Sequence, residues 1–449
     1  MPTAHRNLRI VPIVLFGVLC TRTNPLPRAS TTFVAAVSTG ATVVWSFDGF
    51  AFTMSWTTRN AAGLSQFEAA GTCSGQDSTF GQRLCKVTST TELAAVFVGK
   101  EYYVTYEPGV VLIAHPVTTS YTPGQAGLES HFGYPYAAPC RTTQSTTLTY
   151  VEVGARGSSI DAFGRLKPAG ATSNSFDITT DDFGVVVNGG TDGGAPTVDQ
   201  LRMAATPGGG TATLDRVACA NFVSWFAERQ DPGDFWLGLI ESPNAGVILS
   251  IVGLGGDAGV YGSSLIGVPA GREATIDDVS RKTFIGLGFM RESPWVIPFR
   301  MTVGDAGTVT AMLIPQMPNE GTGDAERIVP LSDPSVASLA GPAAIVDTDR
   351  IISGSLDSHD AVFAPLDVTD AGLTPPADIG GLFTFALSDG GAEFVRDPLI
   401  ALAWKTSTGR IIMVASQLAR NDGNESHCAD PSDWQHFCLS EWFIAFSQD

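Results

Sequence analysis

Near its C-terminus the chain reads HCADPSDWQHFC, placing His427, Cys428, Asp430, Asp433, His436 and Cys438 within one short stretch. Thiolates and imidazoles hold zinc, and carboxylates hold harder cations, so metal chemistry is the first reading to weigh. The local pattern argues against zinc. Asp430 ahead of Pro431, with Asp433 three residues on, is a helix start, and the apolar spacing of Trp434, Phe437, Cys438 and Trp442 predicts a C-terminal helix near 431–446. On such a helix His436 and Cys438 point in different directions and cannot grip one tetrahedral ion. The stretch therefore reads as a staple, a disulfide from Cys428 to Cys438. A calcium reading draws on the oxygens of Asp422, Asn424, Asp430 and Asp433, but these lack the alternating acids of an EF-hand loop. Calcium is accordingly a weak alternative to a chain without cofactor.

A second cluster, ISGSLDSHDAVF, brings Ser355, Asp357 and His359 onto one face if the segment is a strand. Serine, acid and histidine are the parts of an acyl-transfer triad. Neighbours on one strand rarely make the required relay, however, and no G-x-S-x-G elbow occurs in the chain. These three residues are weak catalytic candidates, with a polar outer strand face as the simpler reading. Gly253, Gly255 and Ala258 match G-x-G-x-x-A on spacing alone. The continuation VYGSSLIGVPAG reads as a strand where dinucleotide binding needs a helix, so the glycines mark a turn between strands. Trp45, Trp56, Tyr102, Tyr103 and Tyr106 could stack on sugars, but aromatics in strands more often fill a core.

The elements that must position these groups are hairpins. In TVVWSFDGFAFTMSW the Asp48-Gly49 pair separates two alternating runs, which puts Phe50, Phe52, Met54 and Trp56 on one face. Further turns are predicted at Pro108-Gly109, Asp181-Asp182, Gly304 to Gly307, Asp389 to Gly391 and Ser407 to Gly409. Forty-nine glycines and 27 prolines, without a collagen period, suit many short elements. The fold class that follows is all-β: antiparallel, hairpin-rich sandwich or up-and-down barrel units with a few short helices, stapled by disulfides. One helix is predicted near 214–229, where Leu214, Val217, Ala218, Phe222, Trp225 and Phe226 form a stripe. The glycine-rich run 188–213 reads as a linker or long loop. It divides an N-terminal β-rich domain, 31–210, from an acidic C-terminal β-rich domain, 211–449.

Residues 1–20 place Arg6 and Arg9 before an apolar run from Ile10 to Cys20, too short to span a bilayer but suited to a secretory signal peptide. If the seventh cysteine, Cys20, leaves with the signal, an even set remains, as an oxidising compartment favours. The short spacings pair Cys73 with Cys85 and Cys428 with Cys438, leaving Cys140 for Cys219. Residues 211–449 carry 13 Lys and Arg against 31 Asp and Glu, a balance of −18 out of the chain's −19. Such a surface repels phosphate backbones, which excludes nucleic acid as a partner. No membrane-spanning segment is predicted in the mature chain. The expectation is an exported protein of the cell envelope or exterior with a non-catalytic binding or surface role and an unknown ligand or cell-surface partner. A secreted hydrolase acting on glycans or esters, and a structural subunit of a surface assembly, are the alternatives.

Overall fold

The Asp48-Gly49 turn forms where the sequence asks for it: Gly49 takes φ +63°, a left-handed conformation that costs a glycine little. Gly109 (φ +78°) and Gly409 (φ +83°) reverse the chain at two of the other predicted turns in the same way. The structure is a computed structural model that describes residues 31–38, 40–60, 63–76, 80–91, 98–117, 130–135, 140, 147–153, 160–171, 175–187, 201–206, 211–229, 235–255, 259–289, 296–304, 309–313, 345–347, 350–352, 361–365, 367–368, 382–387, 399–420 and 437–448. The predicted signal peptide lies outside them.

Eight strands close the first barrel: β1 (Thr32–Val37), β2 (Thr42–Asp48), β3 (Ala51–Asn60), β4 (Gly63–Cys73), β5 (Gln82–Thr90), β6 (Glu101–Glu107), β7 (Val111–Val117) and β8 (His131–Pro135). It is an up-and-down ring in which each strand pairs antiparallel with the next and β8 returns to β1. Phe33, Ala35 and Val37 alternate inward on β1 while Val34 and Ala36 pack outside the ring. Both faces are buried, so the strand reads as a continuous apolar run. Phe52, Met54 and Trp56 fill the interior, whereas Phe50, grouped with them in the sequence, stands 62% exposed at the turn.

The second unit holds β9 (Leu148–Val153), β10 (Ile160–Ala171), β11 (Ser175–Val187), β12 (Leu201–Thr206), β13 (Thr211–Ala220), β14 (Val223–Glu228), β15 (Phe235–Ser242), β16 (Gly246–Gly255) and β17 (Gly259–Pro269). Eight of these close a second ring in the order β10-β9-β17-β16-β15-β14-β13-β11, shut by the β10–β11 pairing, while β12 continues outward from β11. A four-residue helix, α1 (Ile276–Val279), follows, the one helix among the described residues, started by a capping box in which Thr275 and Asp278 exchange hydrogen bonds.

The remaining strands are β18 (Thr283–Phe289), β19 (Val296–Val303), β20 (Val309–Leu313), β21 (Ile345–Asp347), β22 (Arg350–Ile352), β23 (Ala361–Pro365), β24 (Asp367–Val368), β25 (Leu382–Leu387), β26 (Leu399–Lys405), β27 (Ile411–Arg420) and β28 (Phe437–Ser447). Eight form a sheet in the order β20-β19-β18-β28-β27-β26-β25-β23, β21 and β22 make a ribbon, and β24 joins β12 in parallel. One core joins the three units: Tyr134 and Phe132 from the first barrel, Trp225 and Ile266 from the second, and Trp404, Trp442 and Ile444 from the sheet. Among the described residues no helix is long and apolar enough to cross a membrane.

Several expectations are corrected. Residues 214–229 form no helix but the β13–β14 hairpin, its turn made by Asn221 (φ +47°) and Phe222 (φ +67°). The apparent helical stripe arises because β14 is buried on both faces, Phe226 inside the ring and Trp225 against the shared core, while on β13 Leu214 is buried inside the ring and Val217 is exposed. The C-terminal helix is likewise a strand over its described part, β28, with Cys438 opposite Ala419 on β27; Cys428 lies outside the described residues. The turn predicted at Asp181-Asp182 is absent, for β11 runs straight through it and exchanges partners from β13 to β12. The division at 210 cuts the second barrel, whose strands come from both sides of it. The predicted turn at Asp389 to Gly391 lies outside the described residues.

Two of the predicted disulfides are present, Cys73–Cys85 and Cys140–Cys219, with separations of 12 and 79 residues. Cys73 and Cys85 are direct cross-strand partners on β4 and β5. Replacing both by serine is expected to lower unfolding stability by about 3 kcal/mol, as loss of so short a loop's closure predicts. Guanidinium denaturation under non-reducing conditions measures it.

Candidate functional site

The two rings have the same strand number and different contents. The first is filled by aromatics: Trp45, Trp56, Tyr102, Phe33, Phe47 and Phe52 are all buried inside it. At their centre His131 on β8 accepts a hydrogen bond at Nδ1 from Trp45 Nε1 at 3.1 Å, with the rings of Trp56 and Tyr102 at 5.0 and 5.5 Å. Burial, then the nearby His115 and Lys100, pushes the His131 pKa down to about 3. Its Nε2 is buried without a hydrogen-bond partner. Outside the same ring, β7 carries His115, whose Nδ1 lies 3.0 Å from Ser130 Oγ and whose pKa burial lowers to about 3. An eight-stranded barrel is just wide enough for side chains to fill, and here large rings fill it.

The second ring is lined mainly by aliphatic side chains, and these leave space. A cavity of about 260 Å³ opens at one end, walled by every strand of the ring except β14. Its floor is buried and apolar: Tyr150 on β9, Leu166 on β10, Ile178 on β11, Leu237 on β15 and Leu265 on β17. Its rim is half-buried or exposed, made by Glu152, Thr180, Thr211, Ala212 and Ile251. Strand alternation places these groups, since Leu148, Tyr150 and Glu152 share the inward face of β9 while Val151 and Val153 join the core shared with the other units. The half-buried Glu152 accepts a 2.6 Å hydrogen bond at Oε1 from Ser263 Oγ on β17. The volume lies somewhat below the roughly 300 Å³ at which ligand pockets usually begin, so size and lining together suit a compact molecule with an apolar body and a polar end.

The sites singled out in the sequence fall elsewhere. Ser355, Asp357 and His359 lie outside the described residues, as do Asp422, Asn424, Asp430 and Asp433. Among the described residues no group of three or more His, Cys, Asp or Glu side chains could hold a metal ion. Trp45, Trp56, Tyr102 and Tyr103 are buried and Tyr106 is half-buried, so they serve the barrel core and its flank. Gly253 and Gly255 end β16, ahead of β17. Sequence reasoning missed the cavity residues, although LTYVEV carried a signal: its alternation sets a carboxylate on the face of Leu148 and Tyr150.

No family model matches the chain, and no curated protein matches it in sequence. Among solved structures the chain is similar to transferrin binding protein B from serogroup B Neisseria meningitidis, at 10% identity and a TM-score of 0.20 over 91% of this chain and 66% of that one. It is similar also to the vaccine antigen transferrin binding protein B, as a double mutant, from Haemophilus parasuis Hp5, at 8% identity and a TM-score of 0.19 over 94% and 76% of the two chains. The H. pylori β clamp follows at 6% identity and a TM-score of 0.11, over 94% of each chain. At such TM-scores the likeness carries no functional argument.

Proposed function

We propose that the chain is an exported binding protein that holds a small, largely apolar ligand in the open end of its second barrel. The observation that carries this reading is the cavity, whose buried aliphatic floor and polar rim belong to a closed ring of strands. A closed ring keeps such a cavity pre-formed, so the ligand need not order the site. Two disulfides support the location, because such bonds persist in oxidising compartments outside the cytosol.

A neutral environment-sensitive probe, N-phenyl-1-naphthylamine, tests the reading. Its fluorescence should rise saturably on titration of the protein. Ala212→Trp, which sets a large ring at the half-buried rim, should weaken the probe by tenfold or more, an effect of about 1.4 kcal/mol. Absence of binding to the wild type, or equal binding to Ala212→Trp, defeats the proposal.

A further inference from the structure

We infer that the cavity of the second barrel is shaped for a rigid ligand of one or two rings and excludes extended alkyl or acyl chains. This rests on the ligand-binding reading above and adds the shape class of the ligand.

The depth of the cavity carries the inference. Successive inward positions on a strand lie two residues apart, about 6.7 Å along the chain. Among the described residues no strand gives the wall more than two positions: Tyr150 and Glu152 come from β9, while Leu237, Ile251 and Leu265 are the single contributions of β15, β16 and β17. The next inward position is already closed on three of these strands. Leu148 lies beneath Tyr150, Leu239 beneath Leu237 and Leu249 beneath Ile251, each at most 2% exposed and all members of the same interior cluster. Leu214 on β13 and Phe226 on β14, both fully buried, complete this plug. The space is therefore broad and shallow: it spans seven of the ring's eight strands but ends one inward step below its wall.

Shape and volume then select the ligand. An extended chain needs depth that the plug removes, and a chain coiled to fit gives up rotational freedom that a ring never had. An apolar cavity of about 150 Å³ takes up benzene. At about 260 Å³, this one has room for two fused rings or a small cage of similar bulk.

Displacement of N-phenyl-1-naphthylamine, whose naphthyl group has the proposed size, by 1-naphthalenemethanol, 1-adamantanemethanol and 1-undecanol tests this with the full chain. The three alcohols have the same number of carbons and one primary hydroxyl, so the polar rim meets the same group in each. By apolar surface alone undecanol would bind best. The ring alcohols are instead expected to displace the probe at concentrations about tenfold below that of undecanol. Along the straight-chain alcohols from butanol to undecanol, displacement should improve about fourfold per methylene at first and level off where the chain meets the plug. Leu249→Ala, which opens the plug beneath Ile251, should narrow the ring-to-chain gap to within about threefold. Leu249→Val replaces it if the larger truncation prevents folding, and should narrow the gap in the same direction. Undecanol equal to or better than the ring alcohols in the wild type, or a series that improves unbroken to undecanol, overturns the shape assignment while leaving the cavity a binding site. A gap unmoved by opening the plug overturns the role of Leu249 and its neighbours. A probe that never binds defeats the ligand-binding reading itself.

Discussion

Trp45→Ala is expected to cost about 5 kcal/mol of unfolding stability, the largest effect of any single substitution proposed for this chain. Trp45 is fully buried inside the first barrel, stacked 5.7 Å from Phe47 and packed against Phe52 and Tyr102 at 5.2 and 5.6 Å. Removing a buried tryptophan to alanine costs about 3–5 kcal/mol through lost transfer energy and the cavity left behind. The loss is compounded because His131 Nδ1 accepts its bond from Trp45 Nε1. A buried acceptor stripped of its donor costs a further 1–3 kcal/mol or so. Trp45→Phe separates the two contributions, since it keeps a ring and removes the N–H, and should cost about 2 kcal/mol. Guanidinium midpoints of the three proteins decide it, and equal midpoints for wild type and Trp45→Ala would contradict the packing described. A domain commonly has only 5–15 kcal/mol to lose, so Trp45→Ala should bring the first barrel near its unfolding threshold.

The second large effect is a loss of stability in mild acid. His131 and His115 are both buried, and burial holds each folded-state pKa down to about 3. In the unfolded chain a histidine titrates near 6.5 or so. The unfolded state therefore binds a proton that the folded state refuses, and stability falls as pH drops below about 6.5. The decline continues until the folded imidazoles protonate near pH 3. At pH 5 each histidine is expected to have cost about 2 kcal/mol relative to pH 7.5, or roughly 4 kcal/mol together. Denaturation midpoints at pH 7.5 and pH 5, for the wild type and for His131→Leu and His115→Leu, measure it. Each single variant should lose about 2 kcal/mol less than the wild type between the two pH values, whatever its starting stability. A wild type and variants that fall in parallel would place the acid sensitivity on the carboxylates instead.

Several features were legible because their causes are local. Asp48-Gly49, Pro108-Gly109 and Ser407 to Gly409 reverse the chain where expected, since the left-handed conformation a tight turn requires is written into the residues that make it. Cys73 with Cys85 followed from a spacing that two neighbouring strands satisfy directly. The errors share another cause. β14 is buried on both sides and shows neither the alternation of a half-exposed strand nor polar gaps, so 214–229 imitated a helix. Only the packing of the units on one another made both faces of β14 internal. Asp181-Asp182 has turn composition, yet pairing with β10, β12 and β13 kept β11 extended through it.

By itself, then, the sequence determined that the chain would be antiparallel β, turn-rich, acidic and cross-linked, because propensity, turn chemistry and charge reside in short stretches. The tertiary structure alone decided that the strands close into rings, that the first ring fills with aromatic side chains, and that the second leaves a cavity with Glu152 at its rim. The physical reason is distance along the chain. The cavity wall runs from Tyr150 to Leu265, and which inward-facing groups meet there depends on the registers of seven pairings and on the β10–β11 contact that shuts the ring. No single stretch of residues carries that information.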